Sequence, residues 1–341
     1  MLSRTGSIFS TLPCLMALVL CGCGTNAKPA GSANDVVSLE DKPNANTGVV
    51  SSADSHTPSA EVSQAMKAIE SKQFAEAKEV LAKAITSKPA DVLAHYYMGV
   101  ACSGMGDSPG AIGSFKRAIE LDPKFAEAYV NLSALQLDQK DAQGALATAD
   151  AGLNHAKHPD LYLNRAIALE NLGKKDDAAS AYAAAVEHMP DNFSLRISYA
   201  QLLLANGNKA EALTQIRKVR ESDDPKLLAI AAIVTRQLEA FADCVAILDR
   251  AISLKDLAAL RVRRGMCRED LKDVAGAKGD YERAIAMDSK FAPAHYYYGV
   301  MLQKAKEAKK ACSEFNLAIE LGGSEGVGPQ AKKASNDAGC R

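Results

Sequence analysis

Tryptophan is absent, and runs of β-branched residues are few. Both absences argue against strands, and the dominance of alanine and other strong helix formers argues for an all-α chain. An excess of charge of either sign is missing too: 40 Lys and Arg against 41 Asp and Glu leave a net charge of −1. That balance excludes a basic nucleic-acid face and an acidic disordered block, so no nucleic-acid partner is expected. No apolar run approaches the roughly 20 residues that a membrane-spanning helix needs. Nucleophile elbows, zincin helices and paired-cysteine zinc patterns are all lacking, so no catalytic residue, metal site or cofactor is assigned and an enzyme is not expected. Gly104, Met105, Gly106 and Gly110 do not make a phosphate loop, because no Lys-Ser or Lys-Thr pair follows them. His155, His158 and Asp160 fall together in a turn, where solvated loop residues are the simpler reading than metal ligands.

The first 22 residues carry one positive charge, Arg4, and then an apolar stretch through Leu12, Leu15, Met16, Ala17, Leu18, Val19 and Leu20. That is a secretory signal pattern. The end of the stretch, Leu20-Cys21-Gly22-Cys23, resembles a bacterial lipobox, with a small residue before the cysteine that takes lipid. The resemblance implies cleavage after Gly22 and lipidation of Cys23, and Gly24 in the following position implies the outer membrane. An ordinary signal peptide cut nearby is the alternative. Residues 23–57 are rich in Ala, Ser, Asn, Gly, Asp and Pro and have no helical or alternating period, so they read as a flexible tether.

From residue 58 onward the chain repeats. Small residues recur at Ala65, Gly99, Ser133, Ala166, Ala200, Ala232, Gly265 and Gly299. A second series runs through Ala77, Ala111, Ala145, Ala178, Ala212, Cys244, Ala277 and Ala311. The spacing is roughly 33 residues, and two antiparallel helices approach closely only where neither side chain is large. Four positions after the second series stand the bulkier Leu81, Phe115, Tyr182, Ile216, Leu248, Tyr281 and Phe315, with Ala149 the small exception. Pro89, Pro123, Pro159, Pro190 and Pro225 are read as helix stops. Repeats are expected near 58–91, 92–125, 126–158, 159–192, 193–224, 225–257, 258–291 and 292–325, followed by a capping tail over 326–341. The sixth and seventh are the most degenerate.

Within Ala94 to Pro123, His95, Met98, Gly99 and Cys102 take the Trp, Leu, Gly and Tyr places of the tetratricopeptide pattern, and Ala111, Phe115 and Pro123 take its Ala, Phe and Pro places. The segment resembles a tetratricopeptide repeat (TPR). The resemblance implies an all-α, right-handed superhelical solenoid of about eight helix–turn–helix repeats, whose first helices line a concave groove. Carried onto this chain, the groove positions include Tyr96, Val100, Val130, Leu137, Leu163, Ile167, Ile197, Val262, Tyr296 and Val300, an apolar wall expected to be covered by a partner. Asn131 and Asn164 resemble two rungs of the asparagine ladder that grips a peptide backbone in some TPR grooves. The near-identical AHYYMGV and AHYYYGV stretches place His95 and His295 alike, either as packing residues or as a functional pair.

With Cys14 and Cys21 in the signal and Cys23 lipidated, Cys102, Cys244, Cys267, Cys312 and Cys340 remain. Cys312 lies in the last repeat and Cys340 in the tail, so a bond between them would staple the cap. Cys244 and Cys267 fall on neighbouring antiparallel helices, which allows a second bond and leaves Cys102 free. Reduced cysteines packed as small hydrophobes are the alternative.

Lipobox, tether and array together resemble bacterial TPR lipoproteins, including pilotin-type proteins that help a secretin assemble and adaptors of cell-wall hydrolases. The resemblance implies a lipid-anchored, periplasm-facing scaffold of the outer membrane that binds envelope proteins. Self-association through the same wall, and a regulatory or substrate-binding subunit of a peptidoglycan hydrolase complex, are the alternatives.

Overall fold

The computed structural model describes residues 56–324 and 326–340; Cys23 and nearly all of the expected tether lie outside them. Among the described residues there are 17 helices and no strand. None of these helices is long and apolar enough to cross a membrane. The described residues fall into two compact units, within Ser38–Gly207 and Asn208–Arg341.

The first unit holds α1 (Ala60–Glu70) and α2 (Phe74–Ser87), α3 (Val92–Gly104) and α4 (Ser108–Leu121), α5 (Ala126–Asp138) and α6 (Ala142–Leu153), α7 (Pro159–Asn171) and α8 (Lys175–His188), and then α9 (Phe193–Ala205). The second holds α10 (Lys209–Val219), α11 (Pro225–Gln237) and α12 (Phe241–Leu254), α13 (Ala258–Asp270) and α14 (Val274–Met287), α15 (Ala292–Lys304) and α16 (Ala308–Gly322), and the tail helix α17 (Gly328–Asp337). The unit boundary therefore falls inside the expected fifth repeat, between α9 and α10. The degenerate sixth and seventh repeats form helices of 13 and 14 residues, whereas α10 of the fifth has 11.

Local chemistry sets where these helices begin. Asp107, Asp141 and Asp273 each accept a hydrogen bond from the backbone N–H three residues on, capping α4, α6 and α14. The third residue is glycine each time, and a Cβ there would fall 2.4, 2.1 and 2.1 Å from the cap carboxylate. Asp-x-x-Gly is thus a recurring start signal of the second helices, in which the glycine makes room for the cap. Proline behaves differently from its reading as a stop at two places. Pro159 and Pro225 occupy the first positions of α7 and α11, where a missing N–H is tolerated and the fixed φ suits a helix start.

Both small-residue series are buried. Ala65, Ser133, Ala166 and Ala200 on first helices, and Ala77, Ala111, Ala145, Ala178, Ala212, Ala277 and Ala311 on second helices, are 0% exposed. The larger knobs fill what remains: Leu81, Phe115, Tyr182, Ile216, Leu248, Tyr281 and Phe315 are at most 2% exposed. Size is matched across each pair. Glycine faces an aromatic at Gly99 and Phe115, Gly265 and Tyr281, and Gly299 and Phe315, and a Cβ on any of these glycines would lie 2.5 to 2.7 Å from the ring. Such contacts hold the two helices of a repeat at one spacing and one register.

Candidate partner-binding face

The expected wall divides by burial. Tyr96 (2% exposed), Val100, Val130, Asn131, Asn164, Ile197 and Val262 are buried core, not surface. Leu137, Leu163 and Ile167 in the first unit, and Tyr296 and Val300 in the second, are half-buried. The physical reason shows at Tyr96. Its ring packs edge-on against Tyr97 and Phe125, both at 5.0 Å between centroids, so Phe125, the N-cap of α5, helps to bury it. Burial, reinforced by Tyr97 and Glu127 nearby, pushes the Tyr96 phenol well above its ordinary pKa.

Asn131 and Asn164 are committed inside the protein. Asn131 Nδ2 donates to the Tyr96 hydroxyl at 2.8 Å, joining α5 to α3. Asn164 Nδ2 donates to the Val130 carbonyl at 3.1 Å and to the Ser133 hydroxyl at 2.8 Å, joining α7 to α5. The pair is a ladder, but one that stitches successive first helices together instead of offering amides to a peptide.

The two histidines belong to a structural series. His95 Nε2 lies 3.0 Å from the Pro89 carbonyl, and His295 Nε2 lies 3.0 Å from that of Ser289. At the same place in other repeats the Tyr129 hydroxyl donates to the Pro123 carbonyl at 3.2 Å, and Arg196 Nε to the Pro190 carbonyl at 2.8 Å. Three residue types thus perform one task, reaching six residues back to fix the loop that enters each first helix. His295 has a second partner, the Glu314 carboxylate 2.7 Å from Nδ1. His155 stacks on Tyr129, and His158 Nδ1 caps α7 by accepting from the Asp160 N–H. Among the described residues no group of three His, Cys, Asp or Glu is arranged to hold a metal ion.

One constellation escaped the sequence reading. Asp280, on α14, is 1% exposed and sits among three guanidinium groups of α13. Arg264 binds it through Nε at 2.9 Å and through Nη2, Arg268 donates at 2.8 Å, and Arg261 stands 3.6 Å away. Asp249 and Asp256 bind Arg264 and Arg261 from the outer side, each at 2.7 Å. The signal was Arg261, Arg264 and Arg268 on one helical face, with an aspartate on the following helix immediately before the knob Tyr281. Every charge in it has a counter-charge, so it ties α13 to α14 and presents no free cation to a ligand.

Two disulfides are present in the second unit, Cys244–Cys267 and Cys312–Cys340; Cys102 is a free, buried thiol. Burial comes first among the influences that push the Cys102 thiol above its usual pKa.

Several apolar residues on the first helices of the first unit stay half-buried, Met66, Met98 and Leu204 among them, and four form a short strip. Leu163 and Ile167 lie one turn apart on α7, beside Ala134 and Leu137 on α5, all of them half-buried. Such a strip can take apolar side chains of a partner; it has no group able to do covalent chemistry.

Tetratricopeptide-repeat family models match residues 163–225 and 114–147. These stretches are tetratricopeptide repeats, and the fold that contains them is an all-α TPR solenoid. Among curated proteins, the chain is 30% identical over 125 residues to the BBSome complex member BBS4 of Bos taurus, covering 36% of this chain and 24% of that protein. It is 30% identical over 111 residues to the protein FlbA of Caulobacter vibrioides, covering 31% and 19%. The chain thus spans a quarter or less of the length of these relatives. Among solved structures, the C-terminal part of a TPR repeat-containing protein from Cytophaga hutchinsonii superposes with a TM-score of 0.57 at 15% identity, covering 71% of this chain and 98% of that one. Yeast Tom70 gives 0.47 at 16% identity, covering 87% and 67%. TPR proteins mediate contacts between proteins, and their scaffold is characteristically non-catalytic.

Proposed function

We propose that this chain is a lipid-anchored protein-interaction scaffold, or assembly adaptor, of the bacterial cell envelope. The observation that carries the interaction role is the half-buried apolar strip of Leu137, Leu163 and Ile167 on consecutive first helices. A partner helix or extended apolar segment would gain by covering it. The lipobox-like Cys23 supports the anchor, and the unstructured composition of the residues after it supports a tether. Envelope assemblies of the secretin, pilus or cell-wall class are the partners this reading favours.

Two variants test it. Replacing Leu163 and Ile167 by Glu removes the apolar strip at positions that are only half-buried, so the chain should stay helical while losing proteins that co-purify with the wild type. Equal recovery from the folded variant contradicts the docking face. Replacing Cys23 by Ala should move the chain from the membrane pellet to the soluble fraction; an unchanged distribution contradicts the anchor.

A further inference from the structure

The two disulfides differ in where they sit. Cys244 and Cys267 are each 1% exposed, inside the packing of α12 on α13. Cys312 and Cys340 are half-buried and reach the surface, and their bond ties α16 to the residues just after α17.

Apart from this bond, α17 packs on α16 through small side chains. Its buried residues are Gly328, Ala331 and Ser335, none larger than alanine or serine in side chain. Ala334, Ala338 and Cys340 rest, partly buried, on the terminal cluster that contains Met301, Leu302, Ala311 and Phe315. The helix is linked to α16 by a glycine-rich connector with Gly322, Gly323, Gly326 and Gly328, and Gly323 is in the left-handed region at φ 60°. Ordering ten helical residues and this connector is opposed by backbone entropy, and alanine-sized contacts offset only part of it. The cross-link supplies the rest by keeping the helix beside its seat.

We propose that the Cys312–Cys340 bond is a thiol–disulfide exchange site for dithiol reductants, and that its reduction undocks α17 and bares the apolar end of the last repeat. The chemistry balances. One thiolate of the dithiol attacks Sγ of Cys340, the Cys312–Cys340 bond breaks, and Cys312 leaves as thiolate. The second thiol of the reductant then attacks the mixed disulfide and releases Cys340. The dithiol ends as a disulfide, and its two electrons and two protons end on Cys312 and Cys340. Cys244–Cys267, shielded from attack, stays oxidised in the folded chain. A chain with α17 released keeps all its helix pairs but gains an apolar surface that the oxidised chain lacks.

The test uses the full oxidised chain, dithiothreitol as reductant and N-ethylmaleimide to trap thiols, with peptide mapping over time. Cys312 and Cys340 should be labelled roughly tenfold faster or more than Cys244 and Cys267, because exchange follows access to the attacked sulfur. Amide hydrogen exchange should show α17 losing protection while α15 and α16 keep theirs, both after reduction and in the Cys312→Ser, Cys340→Ser variant, which needs no reductant. Equal labelling of the two pairs, a chain isolated with Cys312 and Cys340 as free thiols, or an α17 that stays protected without the bond would each overturn the proposal.

Discussion

Gly99 and Phe115 meet so closely that a methyl group on the glycine would stand 2.5 Å from the phenylalanine ring. The contact lies where α3 crosses α4, and its counterparts at Gly265 and Tyr281 and at Gly299 and Phe315 do the same work between α13 and α14 and between α15 and α16. Replacing Gly99 by Ala should lower stability by about 1–3 kcal/mol through overpacking, despite the better helix propensity of alanine. Adding Phe115→Leu should recover part of that loss, since the first repeat carries Ala65 and Leu81 at the corresponding positions, both 0% exposed in one core cluster. Urea unfolding of the two single variants and the double variant measures the coupling, and strict additivity would contradict the size-matching argument.

Asn131 and Asn164 should behave as structural residues. Asn164→Ala leaves the Ser133 hydroxyl without its donor in a fully buried position, so about 1–3 kcal/mol of stability is expected to go. Partner capture by the folded fraction should be unchanged. A variant that kept its stability and lost capture would restore the peptide-gripping role.

The carboxylate of Asp280 is expected to be the most sensitive charge in the second unit. Asp280→Ala strands Arg264 and Arg268 around a buried hole, and a loss near 3 kcal/mol is expected, at the low end for breaking a buried network because the arginines are partly solvated. Asp249→Ala, in which the lost carboxylate is 52% exposed, should change stability by less than about 1 kcal/mol. Thermal unfolding of both variants distinguishes a buried organising charge from a surface ornament.

Acid should weaken the same region. The hydrogen bonds from Arg261 hold the Asp256 carboxyl below its usual range, against a smaller opposing effect of burial. The folded state therefore binds a proton less readily than the unfolded state, so this contribution is present above pH of about 4 and is lost as pH falls through the lowered folded value. Arg261→Gln should flatten the decline of stability on acidification. An identical pH profile would show that the pair adds nothing.

The fold was legible because its signal is redundant. Small residues recur at one spacing on two helices, and only a close helix crossing asks for them there; the knobs four positions on complete the pattern. Exposure of the wall was not legible from the same pattern. Whether the place held by Tyr96 meets solvent or protein depends on Phe125 at the N-cap of α5, and nothing within α3 announces it. His95 and His295 looked alike for a reason that became visible only beside Tyr129 and Arg196, which do the same work with other chemistry. Asp280 drew no reading from the sequence, because only the fold brings its arginines, 12 to 19 residues earlier, round it. Pro159 and Pro225 marked repeat boundaries in either reading, but proline ends one helix and begins another with equal ease, and only the backbone said which.

The central claim is that a protein partner lies on the half-buried apolar strip of α5 and α7. Site-specific incorporation of a photo-reactive phenylalanine at Leu163 or Ile167, with Lys116 on the exposed side of α4 as the control, tests it in the intact cell. The account predicts a discrete cross-linked protein from positions 163 and 167 and none from position 116. No adduct at the strip, or the same adducts from all three positions, would contradict it.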